Sequence, residues 1–361
     1  MTTRLKVCIC WTDISGYMAA CWRALAARPE IDLKVIAFEP TDSKEAVFDR
    51  SVMNGITHEL ITRERAMNDR DAIAGMVLAH APDVISLPGW YYGAYSALAD
   101  HPRLAHCTRL MSMDNPWNGS LRQHLGKYLR ASFFAKIHRV IVAGDKTFEF
   151  ARRLGFGESR IRRGVYGFDA ARFAPVFDER MRRGPWPREF VFIGQYAEKK
   201  NLPMLLSAYD AYRRGSPRPW GLTCMGMGPL KSALAGREGV TDLGFVQPAD
   251  QAGALARVGA FVLPSVYDPW GVAIAEAAGA GLPVVCSEAC GAAIELVRSY
   301  YNGLTIATGH EGALVRAMQA IEAREAEMPE WGRRGRELAA PYGAEFWAAR
   351  WAGAIAEGTT A

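Results

Sequence analysis

The densest chemistry in the sequence lies in Phe261-Val-Leu-Pro-Ser-Val-Tyr-Asp-Pro-Trp-Gly-Val-Ala-Ile-Ala-Glu276-Ala, an apolar strand, a loop, and a helix whose start is marked by Asp268, Pro269 and Gly271. The unbonded N–H groups of such a helix start suit a diphosphate. Glu276, about two turns further on, is placed to accept hydrogen bonds from a ribose diol. Each residue also has a plain structural use. Asp268 before Pro269 is an ordinary N-cap with proline at the first helical position, worth ~1 kcal/mol without any ligand. Glu276 equally fits a solvated helix face.

Other segments bear on the same chemistry. Lys199 and Lys200 stand at a helix start, where positive charge opposes the macrodipole unless an anion answers it. Met225-Gly226-Met227-Gly228-Pro229 reads as a tight glycine turn after a strand, and Val240–Val246 as a strand and turn. Asp114-Asn115 precedes Pro116, which suits a turn as well as a polar site. Asp69-Arg70-Asp71 spells a metal-binding DxD but sits where a helix should begin, and we read it as coincidence. The sequence holds no GxxxxGK[ST] loop, GxSxG elbow or HExxH helix, which removes the common ATPase, hydrolase and zincin readings.

The elements that must position these residues alternate. Leu5–Trp11, Ile31–Phe38, Asp83–Leu87, Leu110–Met113 and Arg139–Ala143 read as strands, with helices over Tyr17–Ala27 and Arg70–Ala79. Phe168–Pro187, with Pro175, Pro185, Pro187 and a charged run, reads as a linker. A second alternation follows, with strands at Glu189–Gly194, Trp220–Met225, Val240–Phe245, Ala260–Pro264 and Pro283–Cys286. Its helices are Asn201–Arg214, Gln251–Val258 and Gly271–Ala280. The expected fold class is α/β, two doubly wound parallel sheets facing across a cleft, with ligands at the carboxyl ends of the strands. The expected domains are 1–170, for the acceptor, and 171–361, for the nucleotide sugar once the resemblance below is taken into account.

The ordered run Pro264-Ser265, Asp268-x7-Glu276-Ala277, Gly281-x-Pro283-Val-Val and Gly291-x3-Glu295 resembles the donor-site signature of retaining family 4 glycosyltransferases, which have the GT-B fold of two facing Rossmann-like domains. Phe192-Ile-Gly194-Gln195-Tyr-Ala-Glu-Lys199-Lys200-Asn201 resembles that family's strand-to-helix turn, with Gln195 where Arg is usual, and Met225–Pro229 its GxGP turn. The resemblance covers about 188–305. It implies Asp268, in the place of a Glu, near the donor sugar hydroxyls, Glu276 on the ribose, and Lys200 with the Gly271 backbone on the diphosphate. Gly194, Gln195, Gly226, Val246, Trp270 and Val272 complete the implied donor site, Val246 at the nucleobase. More weakly, it places Ser15 and Gly16 in an acceptor loop, and Asp114 and Asn115 beside Met113, which occupies the position of the family's His. Gly16 equally eases a helix entry. Asp268, Lys200 and Asp114 are then the expected catalytic residues, the donor is UDP- or GDP-linked, and no metal or other cofactor is implied. The segment 342–357, with Phe346, Trp347, Trp351 and Ile355 at helical spacing, resembles the helix that crosses back to the amino-terminal domain.

The expected activity is transfer of a sugar, with retention, to a hydroxyl of a glycan or lipid-linked acceptor. Two other readings stand beside it: a sugar-nucleotide epimerase of the same fold, and a catalytically idle partner subunit, the latter because Gln195, Met113 and Asp268 all depart from the pattern. Composition fits any of these. Half the residues are hydrophobic and 22% charged, which excludes disorder and collagen-like structure, and a net charge of +5 favours phosphate-bearing ligands mildly. The seven Cys show no paired metal spacing and read as small buried hydrophobes. No apolar run reaches the ~20 residues of a membrane span, and with no secretory leader the expected location is cytoplasmic, with association to the inner membrane face as an option. That option rests on the basic segment 120–163, whose Leu121, Leu125, Leu129 and Phe133 follow a helical stripe. The alternative, slightly favoured, is a stripe facing the core. Nucleic acid is not expected as a partner, since no aromatic and basic strand module accompanies the charge.

Overall fold

The computed structural model describes residues 4–40 and 47–359. They form two compact units, one from residues 4–40, 48–167 and 344–359, the other from residues 47 and 168–343. Each is built on a parallel sheet.

In the first unit the strands are β1 (Leu5–Asp13), β2 (Ile31–Phe38), β3 (His58–Ile61), β4 (Val84–Leu87), β5 (Thr108–Met113), β6 (Arg139–Val142) and β7 (Ile161–Arg163), in the order β3-β2-β1-β4-β5-β6-β7. β1 lies between β2 and β4, with Val7 opposite Leu33 and Val84. Val7, Cys8, Ile9 and Cys10 are wholly buried, which is why this strand reads as a continuous apolar run rather than an alternation. In the second unit β8 (Glu189–Ile193), β9 (Gly221–Met225), β10 (Val240–Gly244), β11 (Ala260–Leu263), β12 (Val284–Ser287) and β13 (Gly303–Ile306) follow the order β10-β9-β8-β11-β12-β13. In both sheets the order reverses at the first strand of the unit. Within each sheet the loops after β1 and β4, or after β8 and β11, therefore leave toward opposite faces, the position at which open α/β sheets take ligands. All seven Cys are buried and free.

Several elements add to the sequence expectations, among them β3, β7, β13 and helices such as Asp145–Arg153 and Met328–Ala339. β3, β7 and β13 are only three or four residues long, too short to carry a period. The expected linker contains a helix, Ala170–Arg182, with Pro175 inside it. Pro175 is exposed, so the hydrogen bond it forgoes is lost on the solvent side, while Phe173 and Val176 bury the opposite face. On that face the Arg180 guanidinium is buried and donates to the carbonyls of Leu255, Ala280 and Gly281. The helix Ala344–Thr359 packs in the first unit, where the indole N–H groups of Trp347 and Trp351 donate to the carbonyls of Val165 and Gly164 at 3.0 and 2.8 Å.

Candidate active site

The loops after β8 and β11 carry most of the predicted donor residues. Lys200 ends a short 3-10 turn, Glu198–Lys200, before the helix Leu202–Gly215. Its ammonium donates to Asp268 Oδ2 at 2.6 Å. The cation that opposed a helix dipole is thus answered by a carboxylate, and both side chains are largely removed from water. The Lys199 carbonyl accepts from the N–H of Val266 at 3.0 Å, which ties the two loops together by backbone as well.

Asp268 is not the helix cap. The helix runs Val272–Gly279, and its N-cap is Gly271 at φ +87°, a left-handed conformation that glycine adopts without strain. The Asp268 carboxylate is held by Lys200 instead, and the Asp268 carbonyl accepts from Gly291 N–H at 3.1 Å. Trp270 is buried against Tyr342, ring centroids 5.6 Å apart, and its carbonyl accepts from Ala292 N–H at 2.7 Å. Val272 opens the helix, so its N–H belongs to the set without an intrahelical acceptor.

Glu276 is not a solvated residue either. It is buried, and burial pushes its carboxyl up to about 7, against the opposing pull of the Arg172 guanidinium and a hydrogen bond from Gln251. Arg172 is itself paired with Asp169 at 2.8 Å, and Asp169 caps the Ala170–Arg182 helix. Arg172, Asp169 and Gln251 escaped sequence reasoning. The only signal was a capping aspartate inside a stretch whose prolines argued for a linker.

The glycine turn does what its sequence suggests. A Cβ on Gly226 would fall 1.9 Å from the Gly194 carbonyl oxygen, so only glycine lets the loops after β8 and β9 meet. The contact is closed by hydrogen bonds from Tyr196 N–H to the Met227 carbonyl at 2.8 Å and from Gly194 N–H to the Met225 carbonyl at 3.0 Å. Gln195 lies in this junction. Val246 follows β10, whose last residue, Gly244, accepts from Gly226 N–H at 2.8 Å. Gly194, Gln195, Lys200, Gly226, Asp268, Trp270, Gly271 and Val272 all lie in the loops leaving one edge of the second sheet or at the start of a helix there.

In the first unit, Asp114 follows β5. Its carboxylate accepts from Tyr166 Oη at 2.8 Å and from Asn115 Nδ2 at 3.1 Å, and its carbonyl accepts from Thr147 Oγ1 at 2.9 Å. Tyr166, unmarked by any motif, meets Trp11 and Tyr17 edge-on, with centroids 6.3 and 6.1 Å apart. It thereby connects the predicted acceptor segment after β1 with the one after β5. Ser15 is a helix cap, its Oγ accepting from Met18 N–H at 3.3 Å, and Gly16 is the first residue of that helix. Asp69 caps the helix Arg70–His80. Among the described residues no group of three or more His, Cys, Asp or Glu could hold a metal ion.

Two parallel sheets of seven and six strands, each flanked by helices, fit the GT-B class of two Rossmann-like domains. Residues 187–323 match the family described as Glycosyl transferases group 1. The glycogen synthase of Mycobacterium tuberculosis is 30% identical over 162 residues, which is 43% of this chain and 38% of that protein, so the match spans well under half of the relative. Among solved structures, sucrose-phosphate synthase from Thermosynechococcus elongatus aligns with TM-score 0.73 at 18% identity, covering 98% of this chain and 99% of the other. Anabaena HepE in complex with UDP aligns with TM-score 0.75 at 16% identity, covering 98% and 100%. The pneumococcal O-GlcNAc transferase GtfA in complex with UDP and GlcNAc aligns with TM-score 0.71 at 11% identity, covering 98% and 99%. At these identities the likeness is one of fold.

Proposed function

We propose that this chain is a glycosyltransferase that moves a sugar from a nucleoside-diphosphate sugar to a hydroxyl of a glycan or lipid-linked acceptor, with retention of anomeric configuration and without a metal. The observation that carries the reading is the Lys200 to Asp268 pair at 2.6 Å, set at the switch point of the sheet in the segment that matches the glycosyl transferase family. A diphosphate arriving beside Gly271 would compete with Asp268 for the Lys200 ammonium. Once displaced, the Asp268 carboxylate is available to the hydroxyls of the donor sugar. Glu276, behind the helix start, accepts from the ribose diol.

Catalysis in this arrangement is positional and electrostatic. Lys200 and the N–H groups at the Val272 helix start stabilise charge on the departing diphosphate, so the bond to the anomeric carbon opens toward an oxocarbenium-like state and the acceptor enters on the same face. Asp114, held by Tyr166, orients the acceptor or the transferred sugar. Uracil is the favoured base, because UDP is bound in the HepE and GtfA structures of the same fold.

The test is a calorimetric panel of UDP, GDP, ADP, CMP and dTDP, followed by proton NMR of the donor and product with and without chelator. Binding of one nucleotide, with an α-linked product from an α-linked donor in chelator, is expected. No binding by any nucleotide would favour an idle subunit, and an inverted product would overturn retention.

A further inference from the structure

The helix Leu121–Leu129 in the first unit is amphipathic in the reverse sense. An ordinary surface helix turns its apolar stripe inward. Here Leu121, Leu125, Tyr128 and Leu129, at positions i, i+4, i+7 and i+8, are 79%, 58%, 75% and 78% exposed, and no residue of the helix is buried. The side lying closer to the protein carries Gln123, Gly126 and Lys127. Gln123 fastens it there, its Nε2 donating to the Pro116 carbonyl at 3.0 Å and its Oε1 accepting from Asn118 N–H at 2.8 Å. The fold therefore holds the apolar side of this helix outward by specific polar bonds; of the stripe expected to face the core, Phe133 does so and Leu121, Leu125 and Leu129 do not.

Charge says what covers it. From Pro116 to Gly144 the sequence contains no Asp or Glu, while the exposed Arg122 and Arg130 stand within and just after the apolar run. Cations at the margin of an outward apolar stripe match the two layers of a bilayer surface, anionic headgroups above and acyl chains below. An acidic protein groove would satisfy the cations, but four large apolar side chains in a row need a hydrocarbon-like layer beside the charge.

We propose that the helix Leu121–Leu129 docks this protein on a membrane surface containing anionic lipid, with Leu121, Leu125, Tyr128 and Leu129 entering the acyl boundary and the exposed Arg122 and Arg130 contacting headgroup phosphates. The proposal is independent of the donor site. It deepens the functional reading only in favouring acceptors that are themselves lipid-linked.

The experiment is flotation of the full chain with vesicles of phosphatidylcholine alone and of equimolar phosphatidylcholine and phosphatidylglycerol, a readout that needs no sugar donor. Binding to the anionic vesicles is expected, weakening about tenfold when the surface potential is screened by raising salt from about 0.1 M to about 1 M. The variant Leu121→Ser with Leu125→Ser and Leu129→Ser should bind at least about tenfold more weakly. Its thermal unfolding should match the parent, because those side chains are already in water. Should it unfold early, the exposed pair Arg122→Gln and Arg130→Gln decides by the same loss on anionic vesicles. Failure of the parent to float, or flotation indifferent to these substitutions, overturns the proposal. A concentration-dependent dimer that the leucine variant abolishes, without vesicle binding, overturns it in favour of a second copy of the chain. Loss of vesicle binding would leave nucleotide affinity untouched, so failure here is distinguishable from failure of the glycosyltransferase reading.

Discussion

Lys200 and Asp268 lie far apart in sequence and meet at 2.6 Å because β8 and β11, the strands that precede them, are neighbours in the sheet. On the proposed reading, the pair supplies the cation for a donor's diphosphate and the carboxylate for its sugar. The two substitutions that break it should act in opposite directions on binding. Asp268→Asn releases the ammonium, so UDP affinity should rise by about threefold to tenfold, up to about 1.4 kcal/mol, while sugar transfer falls. Lys200→Ala should lower UDP affinity by at least about tenfold and leave the Asp268 carboxylate without its cation. Calorimetric titration of both variants checks the signs. Equal losses in both would mean the pair is structural.

Glu276 makes the stability of the second unit depend on pH. Its carboxyl sits at about 7 in the folded chain because of burial, above its value in an unfolded chain. A folded pKa above the unfolded one means that the folded state holds the proton more tightly. The favourable contribution is complete below the unfolded value of about 4.3, declines as pH rises toward 7, and is gone above it, a change of order 3 kcal/mol. Glu276→Gln should flatten this part of the profile and raise the unfolding temperature at pH 8 by several degrees. Urea unfolding of the two proteins from pH 5 to about 8 gives the comparison, and parallel profiles would show that Glu276 is not the titrating group.

Gly226→Ala would set a methyl group 1.9 Å from the Gly194 carbonyl oxygen, a clash with backbone that no rotamer relieves. The loops after β8 and β9 must separate, and the Tyr196 to Met227 hydrogen bond with them. The expected cost is about 2–3 kcal/mol of stability, read by urea unfolding, with nucleotide affinity reduced beyond what the stability loss explains.

Tyr166→Phe removes the hydroxyl that donates to Asp114 Oδ2 at 2.8 Å and keeps the ring contacts to Trp11 and Tyr17. Stability should fall by about 1–2 kcal/mol. If Asp114 orients the acceptor, UDP affinity stays unchanged while kcat/KM for the acceptor falls about tenfold or more. A loss in donor affinity would place Tyr166 in a different role.

The parallel sheets were legible because their central strands are buried on both faces and so read as unbroken apolar runs, as in Val7–Cys10 and Phe261–Leu263. β3, β7 and β13 were not, since three or four residues carry no period. The helix Ala170–Arg182 was hidden by Pro175 and its charges, although its apolar spacing was present in Phe173, Val176 and Phe177. At the candidate site the residue types were readable but their partners were not. Asp268 beside Pro269 looks like a cap, and only the left-handed Gly271 moves the helix start and frees the carboxylate for Lys200. Periodicity likewise revealed the Leu121 stripe without saying which way it faces, because the direction is set by Gln123 and the loop it grips.

The path of the chain between the units has a consequence for how the molecule is made. The first unit is completed by the helix Ala344–Thr359, whose Trp347 and Trp351 bond to carbonyls just before the crossing into the second unit. On the ribosome the second unit, residues 168–343, is therefore complete in the nascent chain while the first, though started earlier, still lacks its closing helix. The order in which the units are completed inverts the order in which they are begun, and a premature stop that removes only the final helix spares residues 168–343 and leaves the amino-terminal unit unfinished.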